Sequence, residues 1–112
     1  CGSRASEQAF LDKEPCKVCG GKLRPGVALL GEVLAQDVWN ETIQAIQTAD
    51  LIICIGTDLK AYPIYRLPHI SRGKLVYIND DVSGLEIDFD LVIEGSVKEI
   101  LQQADEVLKA KA

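Results

Sequence analysis

A chain of 112 residues with 47% hydrophobic and 26% charged residues has the balance of one compact globular domain, with little core to spare. Its net charge of −5, without any Lys/Arg cluster, argues against nucleic acid or an anionic membrane as partner. The longest apolar run, Leu51 to Ile55, is far too short to span a bilayer.

Residues 1–26 read as loop-like and carry three of the four cysteines. Within them stands Cys16-Lys-Val-Cys19-Gly-Gly, the spelling of a zinc knuckle. The turn between the two thiols folds them back onto one ion, and the glycines after Cys19 permit that turn. Cys1, also followed by Gly, is a candidate third ligand, and a tetrahedral site asks for a fourth. The competing readings are a redox pair or two idle thiols. A redox pair usually opens a helix after a strand, which Gly-Gly does not suit. Four cysteines in this spacing, with no signal-like stretch in view, predict a reducing, cytoplasmic setting and metal rather than disulfides.

From residue 27 onward the elements alternate, which divides the chain into 1–26, a partial metal-binding module, and 27–112, an α/β region. Residues 26–30 are predicted as a short extended stretch. Residues 35–50 read as a helix, with Val38, Trp39, Ile43 and Ile46 on one face. Residues 50–56, Asp-Leu-Ile-Ile-Cys-Ile-Gly, look like a strand buried on both faces of a parallel sheet, with Cys54 as core. Residues 63–73 predict a short helix that Pro68 must kink or interrupt. Residues 74–80 and 89–95 predict two further strands. Residues 96–112 predict an amphipathic helix with Ser96 and Glu99 as a capping box and a stripe of Val97, Ile100, Leu101, Ala104, Val107 and Leu108. Alternation of this kind implies a parallel sheet, and so few strands leave a raw sheet edge.

Ligands of open α/β sheets bind at the carboxyl edge. Gly56 there lets backbone approach a ligand, and Thr57 offers a hydroxyl. Asn79, at the end of the next strand, suits a ribose or a base edge. The alternative is that Asn79, Asp80 and Asp81 only make the next turn. His69, the one histidine, reads as a surface residue.

Taken in order, C-x-x-C-G-G-x-L-R-P-x-V, G-E-x-L, a Trp-bearing helix, A-D-L-x-I-x-I-G-T-x-L, P-x-x-x-L-P, K-L-V-x-I-N and D-x-V-I-x-G resemble the sirtuins, NAD-dependent protein-lysine deacylases. The resemblance runs from Cys1 to about Leu101. It implies the carboxyl-terminal half of a Rossmann-like parallel sheet with part of a small zinc-binding module. It implies NAD and zinc as cofactors and an acyl-lysine peptide or protein as substrate. Cys1, Cys16 and Cys19 match zinc ligands. Gly56, Thr57, Asp58, Asn79, Asp80, Asp81 and Phe89 match residues that border the NAD, towards its adenosine end. Val27, Ala28, Leu29, Leu30, Gly31 and Glu32 match the segment that pairs with the substrate peptide, and Leu59 to Tyr62 flank that peptide on its other side. The family's glycine-rich loop and catalytic histidine lie upstream of the matched region, and His69 does not match that histidine. The expectation is therefore a partner segment, the amino-terminal half, on this chain or another, without which this chain does not catalyse.

Three departures stand out. Asp58 replaces the family's Ser and brings a carboxylate towards an anionic cofactor. Ala28 and Leu30 replace larger residues beside the acyl-lysine channel, which implies room for acyl groups bulkier than acetyl. Lys60 stands where an apolar residue is usual. The competing functional reading is a non-enzymatic module that binds a nucleotide or a protein through half a Rossmann unit and a zinc knuckle.

Overall fold

The computed structural model describes residues 1–29 and 31–112, in two compact units, Cys1–Val33 and Leu34–Ala112. In the first unit Ser6 caps a five-residue helix, α1 (Glu7–Leu11), by accepting from the Ala9 amide at 3.2 Å. This helix corrects the loop-like reading of residues 1–26. At little more than one turn it is too short to show a hydrophobic period. After it, Pro15 and Lys22 form an isolated antiparallel bridge that closes the cysteine turn.

The stretch 26–29 is not a strand, against the extended segment expected over 26–30. Its polar groups are taken locally. Arg24 donates to the Val27 carbonyl at 3.2 Å, and the Glu32 carboxylate accepts from the Leu29 amide at 2.9 Å. Glu32 also returns its own amide to the Leu29 carbonyl at 3.0 Å. Leu30 lies outside the described residues.

The second unit contains α2 (Gln36–Thr48), β1 (Leu51–Ile55), a 3₁₀ turn (Ile64–Arg66) running into α3 (Leu67–Ile70), β2 (Lys74–Asn79), β3 (Leu91–Glu94) and α4 (Val97–Lys111). The three strands form one parallel sheet in the order β1-β2-β3, as the alternation of elements predicts. Pro68 divides its segment as expected: a 3₁₀ turn precedes it, and it sits in the first turn of α3, where a missing amide costs nothing.

Burial concentrates on the central strand. Tyr77 is 2% and Ile78 4% exposed. The prediction that the Leu51–Ile55 strand is buried on both faces is corrected. Ile52 and Cys54 are half-buried on one face, but Leu51, Ile53 and Ile55 are exposed on the other. Period 2 sends those three side chains to the face that no described element covers. The α4 helix forms as expected, and its apolar stripe is only partly covered. Val97 and Ile100 are half-buried, whereas Leu101, Ala104, Val107 and Leu108 are exposed. Val38 of α2 is likewise exposed, while Trp39, Ile43 and Ile46 are half-buried. Ser96 caps α4 by accepting from the Glu99 amide, which is one half of the expected box. Among the described residues no helix is long and apolar enough to cross a membrane.

The sheet's register follows from one tight crossing. Gly73 abuts the turn into β1 so closely that a Cβ there would lie 2.4 Å from the Ala49 carbonyl oxygen. With no side chain at 73, the Lys74 amide reaches the Asp50 carbonyl at 2.8 Å, and the pairs run from Leu51↔Lys74 to Ile55↔Ile78. Gly56 and Asn79, the residues after those pairs, therefore emerge side by side at the carboxyl edge. At the opposite end Asp90 accepts from the Leu75 amide at 2.8 Å and from Lys74 Nζ at 2.9 Å, tying the entry of β3 to β2. These bonds hold the Asp90 carboxyl below its ordinary value, the Leu75 amide contributing most.

Candidate functional sites: a thiolate cluster and a sheet edge

In the first unit the sulfurs of Cys1, Cys16 and Cys19 all lie within 4.8 Å of one another. The Cys1 and Cys16 sulfurs are 3.8 Å apart. Two thiolates on one tetrahedral zinc stand about 3.8 Å apart, given zinc–sulfur bonds of about 2.3 Å, so the cluster fits that ion. The turn that gathers them is built by backbone. The Gly20 amide donates to the Cys16 carbonyl at 2.8 Å, and the Cys16 amide donates to the Gly21 carbonyl at 2.8 Å.

Each glycine has its own reason. Gly20 takes φ +72, a left-handed conformation that favours glycine. A Cβ on Gly21 would crowd the Cys19 sulfur at 3.3 Å, while the Gly21 amide donates to that sulfur at 3.4 Å. Backbone amides of Cys19 and Val18 directed at the Cys16 sulfur lower its pKa, the Cys19 amide most. Amides turned onto sulfur stabilise thiolate, the form that binds metal. The arrangement is that of a metal ligand set. Cys54 stands apart in β1, where burial pushes its thiol pKa up.

At the carboxyl edge of the sheet, Gly56 turns away from β1 with φ +61 and donates its amide to the Ile78 carbonyl at 3.0 Å. Thr57 follows, its hydroxyl oxygen accepting from the Leu59 amide at 3.2 Å. Leu59 has φ +55 and is 7% exposed, an unusual backbone for a branched side chain, held by that bond and by burial. Asp58 accepts from the Lys60 amide at 3.1 Å and is exposed.

On the neighbouring strand, Asn79 donates from Nδ2 to the Tyr77 hydroxyl at 2.9 Å and accepts at Oδ1 from the Asp80 amide at 3.0 Å. Tyr77 donates its proton to the Thr57 carbonyl at 2.7 Å. Phe89 packs against the Tyr77 ring, centroids 5.1 Å apart. Asp81 accepts from the Ser83 amide at 2.8 Å, and the bonds from Ser83 lower its carboxyl pKa, with help from Lys60.

The structure thus gathers Gly56, Thr57, Asn79 and Phe89 around one buried tyrosine. It also gives Asn79 and Asp81 the loop-forming bonds of the blander reading, so both roles coexist. Asp58 instead lines an adjacent cavity of about 490 Å³ together with Leu59, Tyr65, His69 and Glu86. His69, read as a surface residue, forms part of that wall. Sequence reasoning passed over Tyr77 because its partner lies twenty residues away. The one available signal was a phenol in an otherwise aliphatic strand.

A parallel sheet with its polar loops at the carboxyl edge, and beside it in sequence a cysteine turn whose sulfurs could hold a metal ion, define an α/β protein. The chain belongs to the Sir2 family, whose profile matches residues 3–63. It is 31% identical to NAD-dependent protein deacylase 2 of Pyrobaculum aerophilum over 99% of this chain and 47% of that protein. It is 33% identical to an NAD-dependent protein deacetylase of Halalkalibacterium halodurans over 98% of this chain and 48% of that one. Among solved structures, Sir2Tm bound to a propionylated peptide matches with a TM-score of 0.76 and 30% identity, over 88% of this chain and 46% of that one. A complex of Sir2 with a p53 peptide and NAD⁺ matches at 0.76 and 28%, over 92% and 45%. The chain spans just under half the length of these relatives.

Proposed function

We propose that this chain is the carboxyl-terminal portion of a cytoplasmic NAD-dependent protein-lysine deacylase. The observation that carries the proposal is the meeting of Gly56–Thr57 and Asn79 at one sheet edge, in a Sir2-family chain whose structural neighbours hold NAD⁺ and acylated peptide. Gly56, Thr57, Asp58, Asn79, Asp80, Asp81 and Phe89 border the adenosine side of the NAD. Backbone at Gly56 admits close approach, and Asn79 offers a donor and an acceptor to ribose hydroxyls. Val27 to Glu32 form the peptide-binding segment, and Leu59 is assigned to the substrate as well. In this segment the Arg24 guanidinium pairs with the Glu32 carboxylate at 2.9 and 3.1 Å and so fixes the backbone offered to the peptide. Cys1, Cys16 and Cys19 hold zinc in a structural role, organising the module that presents this segment.

NAD bound at this edge would supply the ADP-ribose acceptor for the acyl group, with nicotinamide as its leaving group. The residues of this chain bind and orient. His69 lines the adjacent cavity from α3 and is not assigned as general base. Ala28, small where the family carries a larger residue, supports acceptance of acyl groups bulkier than acetyl. Binding of a panel of acyl-lysine peptides, from acetyl to long-chain acyl, tests this. Tighter binding of the bulkier members supports the proposal; a clear preference for acetyl removes it. Perturbation confined to residues outside 27–32 would remove the peptide-segment assignment as well.

A further inference from the structure

The geometry points to Tyr77 as a positioning residue: its buried hydroxyl locks the carboxamide of Asn79 in one orientation by tying it to the Thr57 carbonyl on the neighbouring strand. The inference rests on the reading of this edge as a nucleotide site and adds what presents Asn79 to the ligand.

A phenol has a single proton. The Thr57 carbonyl can only accept, so at 2.7 Å the Tyr77 proton is committed to it. The phenol oxygen can then only accept from Asn79, which forces Nδ2 rather than Oδ1 to face it at 2.9 Å. With Nδ2 so placed, Oδ1 faces the Asp80 amide at 3.0 Å, again its only compatible partner. Turning the carboxamide over would set two acceptors together at Tyr77 and two donors together at Asp80. The orientation is therefore dictated by the chain of bonds, and it leaves one N–H and one oxygen lone pair of Asn79 for a ligand, the pair that a ribose hydroxyl matches.

Tyr77 is suited to this because it is 2% exposed, which keeps water from competing, and because Phe89 braces its ring at 5.1 Å. The hydroxyl also joins the two loops of the edge, since Thr57 follows β1 and Asn79 ends β2. An aliphatic residue at 77 would pack as well in the strand but would leave the carboxamide held by the Asp80 amide alone.

The test compares the zinc-loaded protein with Tyr77→Phe, which keeps the ring and removes only the hydroxyl, and with Ile52→Val, a small core trim that leaves the hydroxyl in place. ADP-ribose affinity and the Asn79 side-chain amide signals are followed by NMR. Tyr77→Phe is expected to weaken ADP-ribose about five-fold, the loss that follows from one ordering hydrogen bond. It should also speed exchange of the Asn79 Nδ2 hydrogens, while Ile52→Val changes neither. Equal affinity for Tyr77→Phe and the parent, or an equal loss in both variants, would overturn the positioning role. If the parent binds no ADP-ribose, the nucleotide reading itself fails and the role falls with it. Should Tyr77→Phe not fold, 3-fluorotyrosine at position 77 retains the bond but makes the oxygen a poorer acceptor. An unmoved Asn79 amide signal in that protein would equally overturn the inference.

Discussion

Replacing Gly73 with Ala tests whether one close crossing sets the register that brings Gly56 beside Asn79. A Cβ at 73 would stand 2.4 Å from the Ala49 oxygen and 2.5 Å from the carbonyl carbon and oxygen of Asp50. These are backbone atoms and cannot rotate aside. Carbon–oxygen contacts become comfortable at about 3.3 Å, so the strands must part by roughly 0.9 Å. The Asp50 carbonyl accepts the first rung from the Lys74 amide at 2.8 Å. The same movement takes that rung beyond hydrogen-bonding distance, a loss of about 1 kcal/mol. Strain from an over-packed crossing adds about 1–3 kcal/mol. The lower entropy of an unfolded Ala offsets about 0.4–1 kcal/mol of this, leaving a net loss of about 1–3.5 kcal/mol, centred on about 2.5.

With an unfolding entropy near 2.1 cal/mol/K per residue, that loss lowers Tm by roughly 10 °C. Thermal unfolding followed by the fluorescence of Trp39, the sole tryptophan and part of α2, reports this unit. Gly26→Ala is the control, since nothing lies within 4 Å of its added Cβ and its φ is outside the left-handed region. A Gly73→Ala protein that melts within about 2 °C of the parent would refute the reasoning.

Three further outcomes follow from the sites. Cys16→Ser should abolish stoichiometric zinc, measured by metal analysis after dialysis, because Cys16 is the buried member of the cluster and a hydroxyl is a poor zinc ligand; retention of one zinc per chain would exclude it as a ligand. The Arg24 guanidinium, followed by the Leu29 amide, holds the Glu32 carboxyl below its ordinary 4.5. A depressed carboxyl stabilises above its unfolded value and loses that contribution as pH falls through the lowered one. The Leu29 amide should therefore be protected from exchange at pH 6 and lose protection below the ordinary carboxylate range, and Arg24→Gln should move that loss to higher pH. Asp58→Asn should tighten ADP-ribose a few-fold, the direction that follows from removing one like charge near an anionic ligand; calorimetry showing unchanged or weaker binding would separate Asp58 from the nucleotide edge.

Much of this is legible in the sequence itself. The Cys16-x-x-Cys19-Gly-Gly turn announced itself because knuckle geometry demands those residue types at that spacing. The parallel sheet followed from apolar runs ending in Gly56 and Asn79. What misled was burial. The run Leu51–Ile55 carries the composition of a strand covered twice, yet composition reports what a strand is made to contact, and the described residues cover only its Ile52–Cys54 face. At 26–29 the difference has another cause. Extended propensity was present, but the Arg24 and Glu32 side chains took the backbone groups a ladder would need. The Tyr77 bond to Thr57 was beyond sequence reading, because it depends on the register that Gly73 sets.

The most direct test of the account is an ADP-ribose titration of the ¹⁵N-labelled, zinc-loaded protein, read residue by residue. The account predicts saturable shifts at Gly56, Thr57, Asn79, Asp80 and the Phe89 amide, with the cysteine turn unmoved. Shifts confined to other residues, or none at concentrations that saturate a weak site, would contradict it.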